Sequence, residues 1–547
     1  MKCKHKSWLK LLSLTVVLAL LCLSFASCSS DKKESSSLSG SAAQTSGDST
    51  DQDASDIVAD ESGADVNSDG ETVNSNDTES GTSGSGTASK NTTGNQTSST
   101  GKTNSTSSSG GSSSSQRTLA KDNIVDMNGY SFTIMSVFLP TSLSKNSTLF
   151  EEQLFERIDE VQKQYNCKIK IIQSPYPDLN TIKKYVLANR KFADILELPP
   201  RDMVGAAELG YITPWDGVSP INTNDARWIE QGVSLGKYNN KQYGLSFYRP
   251  PEVRSCIVMN KTLLKANGID PNSIYDAVNK GTWNFDMLRS LAVKCTNNSK
   301  KTYGIIGYPD YMADGLMKAN NAKLVTRQSN GKAAFTGSSN AAVTAMQYLY
   351  DLVNTNKCVY IGNATLGTDS AWDAVYRAFD PVTEFLKGNY AFMLHESWTI
   401  NQKIKSGAQK TNMEYGMIPY PKGPNATQYY SSASNARLFC RTSSNKDYQK
   451  SAIIFNALAR PLDDIVDYYD DVQADYFQNN DSKSLEMYKL LLANSTFDIG
   501  EAVSELQTAF NAQTATSVYS HTTTVKAGLE AMNGTYDSAI NAIFNKK

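Results

Sequence analysis

Apolar and polar positions alternate with two different periods along the folded part of this chain. At 130–138 they alternate one by one after an Asn-Gly turn, which predicts a strand, and at 154–165 apolar residues recur every three or four positions, which predicts a helix. Further strands are predicted at 167–172 and 193–198, and a further helix at 179–189. This β-α-β-α-β order predicts a parallel sheet with right-handed crossovers and a ligand crevice beyond the carboxyl ends of its strands.

The alternation of strands and helices continues through the rest of the chain. Strands are predicted at 253–260, 303–308, 390–394, 415–421 and 436–440, and helices at 261–267, 285–292, 340–354, 397–406 and 449–459. Thr282 is the predicted cap of the helix at 285–292. From residue 463 onward the pattern is helical. The predicted fold class is therefore α/β with a helical C-terminal part.

The N-terminus has the layout of a secretory signal. Four lysines precede an apolar segment at 11–23, which is short for a stable membrane span. Small residues then precede Cys28, an arrangement that resembles the bacterial lipobox, with Phe25 where Leu is more usual. The resemblance implies a signal peptide at 1–27, cleavage before Cys28 and a diacylglyceryl thioether on its sulfur. The alternative is an ordinary cleaved signal with an incidental cysteine.

The segment that follows Cys28 is polar throughout. From 29 to about 117 it consists mainly of Ser, Thr, Gly, Asn and Asp, without aromatic residues, proline or cysteine. Such a segment buries too little apolar surface to offset the entropy of ordering. We therefore predict a disordered tether at 28–120, with an r.m.s. reach of roughly 50 Å.

Length and charge limit what the remainder can be. The chain has 547 residues and a formal net charge of −2. About 430 residues remain after the tether, which predicts two domains or lobes. The near-neutral balance argues against a nucleic-acid partner. No second apolar run of membrane length occurs.

Cysteine and histidine usage gives little support for a metal or redox site. Only His395 and His521 fall in the folded part, and its five cysteines form no C-x-x-C pair. We expect mostly buried, unpaired thiols, with room for one disulfide, and we expect no metal and no cofactor. The five cysteines are Cys167, Cys256, Cys295, Cys358 and Cys440.

Seven stretches of the chain stand out as motifs: FADILEL (192–198), ELGYITPWD (208–216), KQYGLSFY (241–248), VMNKTLLKANGIDP (258–271), GTWNFD (281–286), KGNYAFMLHESW (387–398) and GMIPYPKGP (416–424). In this order they resemble the extracellular solute-binding proteins of ABC importers, in the sugar-binding family related to maltose-binding protein. The chain departs from the family pattern in its long linker, in Ser246 where Pro is usual, in Trp215 where Leu is usual, and in the acidic, Tyr-rich segment 463–476.

The resemblance implies a two-lobed periplasmic-binding-protein-like fold of type II. On that pattern lobe 1 is 121–247 plus 428–475, and lobe 2 is 248–427 plus 476–547. A ligand cleft would lie between the lobes, and crossing strands would act as the hinge for closure around the ligand.

Sugar sites use flat aromatic faces and planar polar groups, so the candidates are aromatic and carboxylate or amide side chains near strand ends. Trp398 stands where the family places a stacking tryptophan; the alternative is a core residue of lobe 2. Glu396, in the same loop, is a hydroxyl acceptor or a residue that stabilises the start of the helix. The other candidates are Trp372, Tyr308, Asp310, Tyr311, Tyr248, Arg249, Glu197 and Asn435, several of which have a packing role as the alternative. His395, Trp283, Trp215 and Trp228 are expected to be loop or packing residues.

These observations favour a non-enzymatic, lipid-anchored receptor of an ABC importer on the extracellular face of the bacterial cytoplasmic membrane. It would bind a mono- or oligosaccharide, pass it to the transmembrane permease subunits, and act as a monomer. The same fold binding a peptide or polyamine is the first alternative. A surface glycan hydrolase is another, since a paired set of carboxylates would suffice, and an adhesin or a sensor's binding partner is a third.

Overall fold

The structure is a computed structural model, and it describes residues 117–145, 147–173, 179–188, 190–248, 253–368, 371, 374–375, 379–433, 436–462, 477 and 481–546. All of them fall in one unit of the chain, 108–547. The predicted signal peptide, Cys28 and nearly all of the predicted tether lie outside these residues. So do the candidates Arg249, Trp372 and Asn435 and the whole acidic segment 463–476.

The first part of the folded chain supplies most of one sheet. Its elements are β1 (Tyr130–Ser136), α1 (Leu149–Tyr165), β2 (Cys167–Gln173), α2 (Leu179–Leu187), β3 (Ile195–Leu198), α3 (Pro200–Glu208), β4 (Ile212–Thr213), α4 (Glu230–Leu235), β5 (Lys237–Tyr238), β6 (Lys241–Gln242) and β7 (Gly244–Leu245). Strand β1 pairs in parallel with both β2 and β3. The predicted parallel arrangement is therefore confirmed.

Helix α1 illustrates how the sequence specifies these elements. Thr148 and Glu151 form a capping box that satisfies backbone N–H groups at its start. Asn166 ends it in the left-handed conformation, which Asn tolerates better than most residues. Its apolar positions face the sheet and are buried: Leu154, Ile158, Val161 and Tyr165.

The middle part of the chain builds a second sheet. Its elements are β8 (Cys256–Asn260), α5 (Lys261–Ala266), α6 (Pro271–Asn279), α7 (Phe285–Cys295), β9 (Tyr303–Gly307), α8 (Pro309–Ala319), β10 (Val325–Arg327), β11 (Ala333–Phe335), α9 (Asn340–Tyr350), α10 (Pro381–Phe385), β12 (Tyr390–His395), α11 (Lys405–Thr411) and β13 (Tyr415–Ile418). The strand order is β13-β8-β12-β9. All six residues of β12 are buried, as expected for a strand covered on both faces.

The last part of the chain returns to both sheets. Its elements are β14 (Ser431–Ser432), β15 (Leu438–Thr442), α12 (Tyr448–Leu458), α13 (Ser482–Ala493), β16 (Ser495–Thr496), α14 (Ser504–Thr514), α15 (Val525–Ala531) and α16 (Asp537–Phe544). Strand β15 enters the first sheet antiparallel to β3, in the order β2-β1-β3-β15-β4, and β7 pairs with β15. Helix α13 packs on β13 of the second sheet. The predicted lobe boundaries stay predictions.

Several local predictions were wrong. Helices α3, α6, α8 and α10 were not predicted. Each begins with a proline, and a proline can mark either the start of a helix or a break in one. The cap of α7 is Asn284, whose side chain accepts from the N–H of Met287, and not Thr282. The stretch 241–248 forms only the two short strands β6 and β7. The helices expected at 340–354 and 397–406 contain π-helical segments, Asp351–Thr355 and Ile400–Ile404.

The tryptophans expected to pack do so. Trp215 and Trp228 lie in the apolar core of the first sheet, where both contact the Phe455 ring at centroid distances of 5.4 and 5.1 Å. Trp283 is buried in the core of the second sheet and donates from Nε1 to the Pro419 carbonyl at 2.9 Å. These residues stabilise the two cores and do not line a binding surface.

The five cysteines in the described part are all buried and free, as expected. No helix in the described ranges combines the length and apolar character needed to cross a membrane. Within the same ranges, no group of three or more His, Cys, Asp or Glu side chains is arranged to hold a metal ion.

Candidate functional site

The carboxyl ends of β1 and β3 meet at one edge of the first sheet, because the two strands run parallel. Strand β15 begins at this same edge, where Leu438 pairs with Leu198. The residues at this edge, which we call the first edge, therefore come from three separate parts of the sequence. They are Ser136 to Phe138, Glu197 and Arg437.

Glu197 is the buried anchor of the first edge, with 2% of its surface exposed. Its carboxylate accepts from the Ser136 hydroxyl, from the Val137 N–H at 3.1 Å and from the Tyr248 hydroxyl at 3.0 Å. Three converging donors satisfy a buried carboxylate, whose desolvation would otherwise be costly. Glu197 thus fixes the loop after β1 and the side chain of Tyr248.

Tyr248, another predicted site residue, is itself buried. Its ring stacks on Phe150 at a centroid distance of 5.1 Å. Because its hydroxyl is bound to Glu197, Tyr248 contributes a fixed wall at the first edge and not an open aromatic face.

Two residues at the first edge were missed from the sequence. Phe138 keeps 39% of its surface exposed, and the guanidinium carbon of Arg437 lies 3.4 Å from the centroid of its ring. The N–H groups of Phe138 and Leu139 donate to the Ser136 hydroxyl at 3.1 and 2.8 Å, which holds the ring in place. The position of Phe138 just past a parallel strand was a usable signal, but a phenylalanine carries no polar group that points to a site.

A matching edge exists in the second sheet. Strands β9 and β12 are parallel, so Tyr308 and Glu396 follow them at the same edge. Strand β8 begins there as well, because Cys256 pairs with His395, and this places Arg254 beside them. We call this the second edge.

Trp398 is held at the second edge by Glu396. The indole Nε1 donates to Glu396 Oε2 at 2.6 Å, and Arg254 Nε lies 2.6 Å from the other carboxylate oxygen. Glu396 is buried, whereas Trp398 is only half-buried. Burial opposes the charge on Arg254, but the attraction of several acidic groups, Glu396 foremost, outweighs it and raises the pKa of Arg254 above its ordinary value. The ion pair therefore holds the indole in one orientation.

Asp310 lies in the first turn of α8, between Tyr308 and Tyr311. Burial raises the pKa of its carboxyl group to about 6, against the attraction of Arg254. Its Oδ1 is buried and has no hydrogen-bond partner among the described residues.

Two tyrosines and a histidine pack together at the second edge. The rings of Tyr308 and Tyr311 lie 5.8 and 5.1 Å from that of His395, measured between centroids. Burial lowers the pKa of His395 to about 3, so the ring is neutral at physiological pH. His395 accepts from the Glu396 N–H at 2.8 Å, which makes it a buried packing residue, as expected.

Short connections join the two edges. The Arg254 N–H donates to the Ser432 carbonyl at 3.1 Å, and Ser255 exchanges hydrogen bonds with the Ser431 hydroxyl at 3.2 and 3.0 Å. The two segments that pass between the sheets therefore run side by side. Tyr248 at the first edge is only six residues from Arg254 at the second, so their Cα atoms are at most about 20 Å apart.

The predicted site residues thus fall into two groups. Glu197 and Tyr248 lie at the first edge. Tyr308, Asp310, Tyr311, Glu396 and Trp398 lie at the second edge.

Residues 156–458, more than half of the chain, match the family model described as bacterial extracellular solute-binding protein. The chain belongs to this family. The resemblance noted in the sequence is thereby confirmed.

Solved structures of solute-binding proteins share the fold. An ABC substrate-binding protein from Listeria monocytogenes in complex with cycloalternan is 14% identical, with a TM-score of 0.50 over 78% of this chain and 100% of that one. The cyclic α-maltosyl-1,6-maltose binding protein from Arthrobacter globiformis is also 14% identical, with a TM-score of 0.50 over 76% and 99%. A cyclo/maltodextrin-binding protein complexed with maltotetraose is 15% identical, with a TM-score of 0.50 over 73% and 94%.

These likenesses establish the two-lobed type II fold of solute-binding proteins for this chain. At such low identity they do not transfer individual contacts. The sequence has no match among curated proteins.

Proposed function

We propose that this solute-binding protein is the receptor of an ABC importer and binds a carbohydrate between the first and second edges. The observation that carries the proposal is the state of Trp398. The indole is partly exposed and its nitrogen is fixed by a buried carboxylate, so its ring would give a sugar a rigid aromatic surface at little entropic cost. Such a face suits the apolar C–H surface of a sugar ring.

The polar groups around the indole suit the hydroxyls of a sugar. Asp310 Oδ1 lies buried without a partner in the described residues, and two tyrosines flank it along the chain. A few fixed polar groups beside aromatic surface are typical of small-molecule sites. The solved structures of similar fold that are described as bound to saccharides support the same choice.

Closure would occur around the crossing segments. They are short and are bonded to each other through Arg254, Ser255, Ser431 and Ser432. A hinge needs only a few such residues, each absorbing part of the backbone rotation. The solute would be enclosed when the two edges approach each other, and it would be released to the permease when they separate.

The anchor is part of the same proposal. A lipid on Cys28 would hold the protein at the outer face of the membrane, and the tether at 28–120 would let a single receptor domain reach its permease. Catalysis is not part of this function.

The direct test is isothermal titration of the full-length protein, solubilised in detergent, with mono- and oligosaccharides. We expect one class to bind with micromolar affinity, and we expect Trp398→Ala to weaken that binding at least tenfold. Tyr448→Ala is the matched control, because Tyr448 is an exposed aromatic residue that follows the opposite end of β15. Binding of peptides or polyamines with no binding of any sugar would contradict the carbohydrate assignment. Turnover of a glycan would contradict the receptor assignment.

A further inference from the structure

The guanidinium of Arg437 is held flat against Phe138 at the first edge, with its central carbon 3.4 Å from the ring centroid. All five N–H donors of a guanidinium lie in its plane. Stacking on a ring therefore leaves these donors directed outward from the rim of the plane, available to an acceptor beside Phe138.

Arg437 differs from two other described arginines that lie in or beside the sheets. Arg254 is paired with Glu396, and Arg441 donates to the Pro214 carbonyl at 2.6 Å. Arg437 has no ion pair with any carboxylate of the described residues. The buried carboxylate closest to it in the sheet, Glu197, is already bound by three donors. The first edge therefore carries a positive charge without a protein counter-ion in the described chain.

The second edge has complementary chemistry. Trp398 is partly exposed there, and Lys403 Nζ lies over its ring, 6.0 Å from the centroid. Asp310 adds an acceptor whose Oδ1 has no partner in the described residues. The first edge thus offers the positively charged N–H donors of Arg437. The second edge offers the Trp398 ring for stacking and the Asp310 carboxylate as an acceptor for hydroxyl groups.

We propose that the solute is an acidic saccharide that contains a uronic acid, with its carboxylate bound to Arg437 and a sugar ring stacked on Trp398. This proposal rests on the proposed function and adds the class of sugar. A carboxylate has two oxygens that match the guanidinium fork, and such charge-assisted pairs are roughly twice as strong as neutral hydrogen bonds.

The same geometry discriminates against neutral sugars. Closure of the edges removes water, and a hydroxymethyl group in place of the carboxylate would leave the Arg437 charge buried without an anion. Sites built for a specific polar partner reject an analogue that lacks it, because the protein group is then left unpaired. We expect a preference of about tenfold to a hundredfold for the acidic sugar.

The test compares pairs of oligosaccharides that differ only at C6, such as glucose with glucuronate units and galactose with galacturonate units. Titration of the full-length protein in detergent is expected to show at least tenfold tighter binding of one acidic member. Arg437→Gln should reduce that preference to within about twofold, and Arg437→Lys should retain only part of it. Thermal unfolding of each variant verifies that it is folded.

Lys265→Gln is the charge-matched control. Lys265 pairs with Glu414 at the opposite end of the second sheet, beyond Asn260, so its loss should leave the preference unchanged. Equal binding of acidic and neutral partners, or an acidic preference that survives Arg437→Gln, would overturn the proposal while leaving a carbohydrate receptor intact. Binding of no saccharide at all would instead overturn the proposed function.

Discussion

Trp398 and Arg254 do not touch the same atom, yet both depend on Glu396: the indole is 2.6 Å from one carboxylate oxygen and the guanidinium is 2.6 Å from the other. The three residues come from two strand ends and one helix start. Their arrangement means that the orientation of the indole and the placement of Arg254, whose side chain is 28% exposed, are set together.

Glu396→Gln should therefore lower both stability and affinity. The amide oxygen of Gln can still accept the indole N–H, so the substitution chiefly removes the charge that compensates Arg254. Leaving one member of a largely buried pair uncompensated is expected to lower the free energy of unfolding by about 2 kcal/mol. Urea denaturation measures the first effect and titration with the identified solute measures the second.

Glu414→Gln provides the comparison. Glu414 also pairs with a cation, Lys265, but both side chains are more than half exposed. Exposed pairs contribute little, so we expect a change within about 0.5 kcal/mol. Equal effects of the two substitutions would mean that burial of the Arg254–Glu396 pair is not the deciding factor.

The sequence predicted the second edge better than the first. Trp398, Glu396 and the Tyr308–Tyr311 segment could be found because polar or aromatic residues directly follow apolar strands, and parallel strands end together. Whether Trp398 is exposed could not be predicted, since that depends on the hydrogen bond to Glu396 and on the ion pair behind it. Those contacts join residues 254 and 396, which are adjacent only after β8 and β12 pair.

The central contact of the first edge could not be predicted from the sequence. Arg437 and Phe138 are separated by almost 300 residues and meet only because β15 inserts beside β3. Periodicity in the sequence identifies β3 and β15 as strands but does not give their antiparallel register. The cation–π contact between Arg437 and Phe138 therefore could not be predicted from either local sequence. Glu197 was found from its strand end, although its partners, the Ser136 and Tyr248 hydroxyls, depend on the same assembly.

Asp310 should give the protein an unusual pH dependence. Burial raises the pKa of its carboxyl group to about 6 in the folded state, above the ordinary value of 3.8. The folded protein then holds this proton more tightly than the unfolded chain does. The resulting destabilisation is complete above pH ~6 and fades toward pH ~4, so lowering the pH stabilises the fold through this group.

The difference in free energy of unfolding between wild type and Asp310→Asn isolates the contribution of Asp310 to the pH dependence. The contributions of other groups, such as the buried Asp498, are common to both proteins. We expect wild type to gain about 2 kcal/mol relative to the variant between pH 7 and pH 4.5, measured by urea unfolding at each pH. A difference in the free energy of unfolding between wild type and Asp310→Asn that stays constant with pH would contradict the raised pKa of Asp310.

Gly315 should be essential for the placement of α8, the helix that carries Asp310. A Cβ atom at this position would overlap the Tyr420 ring, which crosses the helix there and is itself fully buried. Alanine ordinarily stabilises a helix interior by up to about 1 kcal/mol over glycine. The clash should reverse the sign, so we expect Gly315→Ala to destabilise by about 1–3 kcal/mol and to weaken solute binding.

Gly528→Ala in α15 is the matched control, since its Cβ would mainly meet the flexible end of the Gln513 side chain. We expect that variant to remain within about 1 kcal/mol of wild type. Thermal unfolding compares the two variants. If Gly528→Ala were as destabilising as Gly315→Ala, overlap with Tyr420 would not be the cause of the Gly315→Ala effect.

The reactivity of the cysteine thiols should test both the burial of the five cysteines in the fold and the proposed lipid on Cys28. The five cysteines of the described part are buried and free, and burial raises the pKa of the Cys167 and Cys295 thiols to about 11, so their thiolate fraction at neutral pH is negligible. We expect a thiol reagent to label the native protein far more slowly than the urea-unfolded one. If Cys28 carries the proposed lipid and the two cysteines before it are removed with the proposed signal peptide, the unfolded protein purified from membranes should titrate five thiols. A sixth reactive thiol would show that Cys28 is unmodified, and Cys28→Ser should move the protein into the medium without changing its solute affinity.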